Sequence, residues 1–134
     1  MTAAGFSFDV FADPGLVWFR GPGSYSLDEL IAGIMDVRNH PDFHPDCYTL
    51  VDFPATTIRF DPDGTLAYRN FFGALAGERG HTRWAIYSHM QETLDTAYVC
   101  HRILTESPIE VAVFEDFDCA VGWLNRGDPR TMPA

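Results

Sequence analysis

The feature that most restricts what this chain can fold into is a regular alternation of short strand-like runs with stretches of helical spacing. Phe6-Ser7-Phe8-Asp9-Val10-Phe11 alternates apolar and polar residues, and Leu16-Val17-Trp18-Phe19-Arg20 is β-branched and aromatic; Ala12-Asp13-Pro14-Gly15 between them predicts a hairpin. Ser26-Leu27-Asp28-Glu29 has the spacing of a capping box, in which the Ser26 hydroxyl accepts from an orphan amide and Glu29 reaches back to the Ser26 amide. Leu27, Leu30, Ile31, Ile34 and Met35 then recur at helical intervals. Asn39-His40-Pro41 ends that helix, because proline disfavours helical geometry in the residue before it.

The same grammar repeats downstream. Cys47 to Phe53 predicts a strand closed by Pro54, and Asp61-Pro62-Asp63-Gly64 offers a cap and a proline at the first helical position for a helix running to about Gly77. Trp84 to Ser88, Glu92 to Thr105, Val111 to Phe114 and Asp116 to Asn125 read as strand, helix, strand and helix. Short apolar strands separated by helices specify parallel pairing through right-handed crossovers, with helices packed on the sheet. The expected fold class is α/β: one domain over residues 6–125 with a mostly parallel five-stranded sheet, its first strand an antiparallel edge, and a loose tail at 126–134. The pattern leaves strand order open.

Composition removes several function classes. A hydrophobic content of 46% excludes a disordered chain, and three cysteines exclude a disulfide-stapled miniprotein. The net charge of −10 repels phosphate backbones and anionic headgroups, and Arg79, Arg83, Arg102 and Arg126 form no basic run, so nucleic acid is not an expected partner. No apolar run approaches the roughly 18–20 residues of a membrane span, and Met1 to Gly5 lacks the basic-then-apolar pattern of an export signal, which together give a cytoplasmic expectation. Gly21-Pro22-Gly23-Ser24 lies where a phosphate cradle would, but Pro22 removes a donor and there is neither a Walker lysine nor a Gly-x-Gly-x-x-Gly series. A turn is the default reading there, and no cofactor is expected.

The ordered set Leu16-Val17-Trp18-Phe19-Arg20-Gly21, Ser26-Leu27-Asp28-Glu29-Leu30, Leu50-Val51-Asp52-Phe53, Val113-Phe114-Glu115-Asp116 and Ala120-Val121-Gly122-Trp123-Leu124 resembles the SpoIIAA-like group of the STAS superfamily. The resemblance implies a small α/β regulatory or binding domain. In anti-anti-sigma factors of that superfamily a phosphorylatable serine opens the helix after the third strand, in an Asp-Ser-Ser-Gly-like stretch. Here the matching stretch is Ile58 to Thr65, with Pro62 and Asp63 at the serine positions and Thr65 as the nearest hydroxyl. Two fixed carboxylates, Asp61 and Asp63, already occupy the helix start, where negative charge caps the helix.

The expected function is therefore non-catalytic: a module meeting a protein partner or an apolar small molecule through Asp61, Asp63, Thr65, Tyr68 and Phe72. Tyr68 and Phe72 sit four apart at the edge of a broad apolar arc, a position suited to a contact surface or the wall of a cavity. The helix from Glu92 carries a similar arc with Leu94, Ala97, Tyr98, Val99, Cys100, Ile103 and Leu104, so a homodimer contact is a further expectation. The alternative is a small metal-dependent hydrolase using His40, Asp42 and His44, near Asp46 and Cys47, because imidazole, carboxylate and thiolate are the side chains that hold transition metals. Pro41 and Pro45 break any helical His-x-x-x-His register across that loop, and a solvated turn is its default reading. Cys100-His101 are consecutive on a helix and point about 100° apart, which prevents a thiolate–imidazole pair. Cys100 and Cys119 are both expected as small core residues.

Overall fold

The computed structural model describes residues 6–12, 15–21, 23–59, 69–71, 73–75, 82–105 and 107–125. Strands β1 (Ser7–Phe11) and β2 (Leu16–Arg20) form the predicted antiparallel hairpin, with Gly15 in its turn at a φ of 92° that a side chain would resist. After β3 (Ser24–Ser26), helix α1 (Leu27–Arg38) starts on the predicted capping box: the Ser26 hydroxyl accepts from the Glu29 amide, and the Glu29 carboxylate accepts from the Ser26 amide. The chain continues through β4 (Tyr48–Phe53), β5 (Thr57–Arg59), helical residues 69–71 and 73–75, β6 (Thr82–Ser88), α2 (Gln91–Ile103), β7 (Ile109–Phe114) and α3 (Phe117–Asn125). The expected tail at 126–134 lies outside the described residues.

The main sheet has the order β1-β2-β4-β6-β7, with β1 antiparallel at one edge and every other pairing parallel. This is the expected five-stranded sheet, now with its order. The pairing of β3 with β5 in a separate two-stranded sheet was not foreseen. Three-residue strands are too short to show a period, and each turns one large side chain inward, Tyr25 from β3 and Ile58 from β5.

The strand order has a consequence for layering. Because β2, β4, β6 and β7 lie side by side in chain order, every crossover steps in the same direction, and right-handed crossovers then place their helices on the same face. One face of the sheet is accordingly covered by α1, residues 69–71 and 73–75 and α2, together with β3 and β5; among the described residues the other is covered by α3. Two ranks of side chains cross the helix-rich face in register: Val10, Val17, Thr49, Trp84 and Val111, then Phe8, Phe19, Val51, Ile86 and Val113. Gly33 allows α1 to seat closely here, since a Cβ on it would lie 2.8 Å from the Phe19 ring.

Candidate functional site

A cavity of about 70 Å³ opens between the helix-rich face of the sheet and the helices above it. Its floor is Thr49, Val51, Trp84 and Ile86 from the central strands, with Phe53 and Ile58 alongside. One wall is Leu30, Ile34 and Val37 on α1; the opposite wall is Thr93, Thr96, Ala97 and Cys100 on α2. Leu75, from the helical residues before β6, contributes to the lining, and the exposed Arg38 lies at the rim.

The void has a local cause in the sequence. Positions 93, 96, 97 and 100, at the i, i+3, i+4, i+7 spacing of a buried helix face, are the α2 residues that line the cavity, and they hold Thr, Thr, Ala and Cys, with the larger Leu94 buried beside them. A stripe of small side chains above aromatic and β-branched strands leaves space that leucines would fill. By comparison with the roughly 10–15 Å³ a water needs and the roughly 150 Å³ that admits benzene, the cavity suits roughly three to five non-hydrogen atoms.

Polar groups around the cavity are mostly committed elsewhere. The Thr93 hydroxyl donates to the Thr56 carbonyl at 2.6 Å and accepts from the Ile58 amide at 2.9 Å, tying α2 to the end of β5. The Thr96 hydroxyl donates to the Glu92 carbonyl at 3.0 Å within its own helix. Thr49 is 8% exposed, and its hydroxyl makes no hydrogen bond among the described residues. The described lining therefore offers apolar shape and hydroxyls, with no acid and base held together for proton transfer.

The residues singled out in the sequence fall differently. Asp61, Asp63, Thr65, Tyr68 and Phe72 lie outside the described residues; just beside them, Phe71 packs against the core and Leu75 reaches the cavity. His40, Asp42 and His44 are described and do not gather: among the described residues no three His, Cys, Asp or Glu side chains come together to hold a metal ion. The His40 Nδ1 instead accepts from the Asp42 amide at 3.1 Å, its ring lies edge-on to Phe8, and Cys47 is fully buried in the core. This loop serves the cavity through Phe43, which lines it. The Gly21 turn is likewise structural, its carbonyl accepting from the buried Thr56 hydroxyl.

Cys100 is buried and His101 exposed, as their helical offset requires. Cys119 corrects the sequence reading: α3 buries Ala120 and Leu124, and Cys119 projects to the exposed side. Its thiol donates to the Asp116 carboxylate at 3.0 Å, and that bond, with the neighbouring negative charge, holds its pKa above the ordinary cysteine value. The cavity residues Thr49, Trp84, Thr93 and Thr96 were read as parts of a strand or a helix only. The signal that marks them is the run of small and hydroxylated residues on inward positions where bulky ones are the norm.

No family model and no curated protein matches the chain. A crystal structure of an uncharacterized protein from the DUF3478 family with a SpoIIAA-like fold, from Shewanella loihica PV-4, is similar to it at a TM-score of 0.51 and 16% sequence identity, over 90% of this chain and 94% of that one. At that identity the likeness concerns architecture alone. Among the described residues no helix is long and apolar enough to cross a membrane. The mixed sheet with its antiparallel edge, the helices on it and this structural likeness together establish that the chain has a SpoIIAA-like fold.

Proposed function

We propose that this protein is a non-catalytic binding module that holds a small apolar molecule between the sheet and helices α1 and α2. The observation that carries the reading is the cavity itself, about 70 Å³, floored by Val51, Trp84 and Ile86 and walled by Leu30, Ile34 and Ala97. A void of this size inside a well-packed core sacrifices contacts that larger side chains would make, and an apolar occupant restores them. The helical residues that bring Leu75 to the cavity adjoin Asp61, Asp63, Thr65, Tyr68 and Phe72, the segment proposed to meet a protein partner, so ligand and partner share one element in this reading.

The test is a titration with 2-methyl-1-butene, a five-carbon hydrocarbon, followed by ¹H–¹⁵N NMR. Saturable shifts of the Trp84 indole and of the Cys100 amide are expected, and Ala97→Leu, which puts side-chain volume into the cavity, is expected to abolish them. A native protein whose Trp84 and Cys100 signals stay unmoved up to the solubility limit of the hydrocarbon rules the reading out.

A further inference from the structure

We infer that Thr49 is the polar anchor of this cavity and that the occupant is a small neutral molecule of a few carbons bearing one hydrogen-bonding oxygen, a ketone or an alcohol. This rests on the binding reading above and deepens it. The buried polar side chains are Thr49, Thr56, Thr82, Ser88, Thr93 and Thr96. Five of the six have partners: Thr56 donates to the Gly21 carbonyl, Thr82 to the Cys47 carbonyl, Thr93 to the Thr56 carbonyl and Thr96 to the Glu92 carbonyl, while Ser88 accepts from the Met90 amide. Thr49 is the exception among the described residues.

Its position sharpens the contrast. β4 is a central strand paired on both sides, so the hydroxyl of Thr49 cannot be explained by an unpaired sheet edge. In the rank Val10, Val17, Thr49, Trp84, Val111 it is the one hydroxyl, at a position where valine would fill the same shape. Thr49 lines the cavity, where a ligand oxygen placed against its hydroxyl would accept its proton or donate to its lone pairs. A ligand oxygen at this place takes the position of water against the Thr49 hydroxyl, while the ligand's carbons make the apolar contacts that water cannot. Neutrality follows from the lining: Arg38, its one formally charged described residue, sits at the exposed rim, and a charge placed deeper would lose its hydration without compensation.

The experiment compares butanone with 2-methyl-1-butene, in which a CH₂ replaces the carbonyl oxygen at nearly unchanged shape, using the Trp84 indole signal to obtain both dissociation constants. The native protein is expected to bind butanone tighter by on the order of fivefold, the net effect of one hydrogen bond. Thr49→Val is expected to erase the preference while still binding the hydrocarbon, and Thr49→Ser to keep it. Equal affinity for the two probes in the native protein, or a preference that survives Thr49→Val, overturns the anchor role while leaving the binding reading standing. Failure of both probes to bind the native protein removes both.

Discussion

The two faces of the sheet differ in how they are covered and in where they leave space. The helix-rich face lies under α1, residues 69–71 and 73–75 and α2, and its core runs from Phe6 to Val111, yet this is the face that contains the cavity. The other face lies under α3, where Ala120 and Leu124 pack with Leu50 and Ala85, and small residues on both sides let helix and strands close together. Around that compact centre sit half-buried aromatics with their polar edges matched: Trp18 Nε1 donates to Asp52 at 2.9 Å, Arg20 lies 5.0 Å over the Trp18 ring and pairs with Asp9, and the Tyr87 hydroxyl meets His89 Nε2 at 3.0 Å. Space in this protein is thus not a product of thin cover. It occurs where small residues on a helix face large ones on the sheet.

If the helix-rich face is the principal core, truncation there has the largest effect. Phe53 is buried, and its ring lies 5.7 Å from that of Phe6 and 5.6 Å from that of Phe19. Phe53→Ala is expected to cost about 3–5 kcal/mol and to enlarge an existing void, against a whole-domain stability of about 5–15 kcal/mol. Leu124→Ala on α3 is expected to cost less, about 2–3 kcal/mol, because α3, with no second helix beside it on its face among the described residues, can settle into the space vacated. Urea unfolding of the two variants measures both, and equal losses would show that the two faces contribute alike.

The second comparison inserts volume instead of removing it. Ala97→Leu places three extra carbons beside the cavity and is expected to change stability by less than about 1 kcal/mol, in the stabilising direction if the new side chain finds a relaxed rotamer. Ala120→Leu forces the same carbons into the contact with Leu50 and Ala85 and is expected to destabilise by about 1–3 kcal/mol. Thermal unfolding of the pair decides the matter: similar losses at both positions would mean that the void is not available to a side chain, and would argue against its availability to a ligand.

The architecture was legible in the sequence because its determinants are local. Ser26 and Glu29 cap α1 as their spacing requires, Asn39 ends it ahead of Pro41, and the apolar runs at 16–20, 48–53 and 84–88 are strands. The β3–β5 pair was not legible, since three-residue strands joined across more than thirty residues carry no periodic signal. Nor was the cavity. Thr49 in a strand and Thr93, Thr96, Ala97 and Cys100 along a helix are each unremarkable locally, and they become a site only when strand order brings β4 beneath α2. The loop of His40, Asp42 and His44 shows the reverse: nearness along the chain is not convergence in space, and with Pro41 breaking the backbone between His40 and Asp42 no three metal-binding side chains come together among the described residues.

The smallest expected effect contrasts a thiol on each face. Cys100 is buried beside the cavity and Cys119 is exposed on α3, so alkylation by iodoacetamide in the native state is expected at Cys119 first. Accessibility alone would make that reaction fast, but the hydrogen bond to Asp116 and the negative charges of Asp116 and Asp118 raise the Cys119 pKa. The thiolate is the nucleophile, so a raised pKa means less of it at neutral pH and slower labelling than an unperturbed cysteine shows. Asp116 Oδ1 also accepts from the Asp118 amide at 3.2 Å at the start of α3, a role asparagine fills equally well. Asp116→Asn therefore removes the charge and keeps the cap. Labelling of Cys119 is expected to speed up at pH 7, with its pH–rate midpoint moving down, while α3 stays seated and Cys100 stays protected. Simultaneous acceleration at Cys100 would instead mean that the substitution loosens the fold, and would place α3 in direct mechanical connection with the face across the sheet.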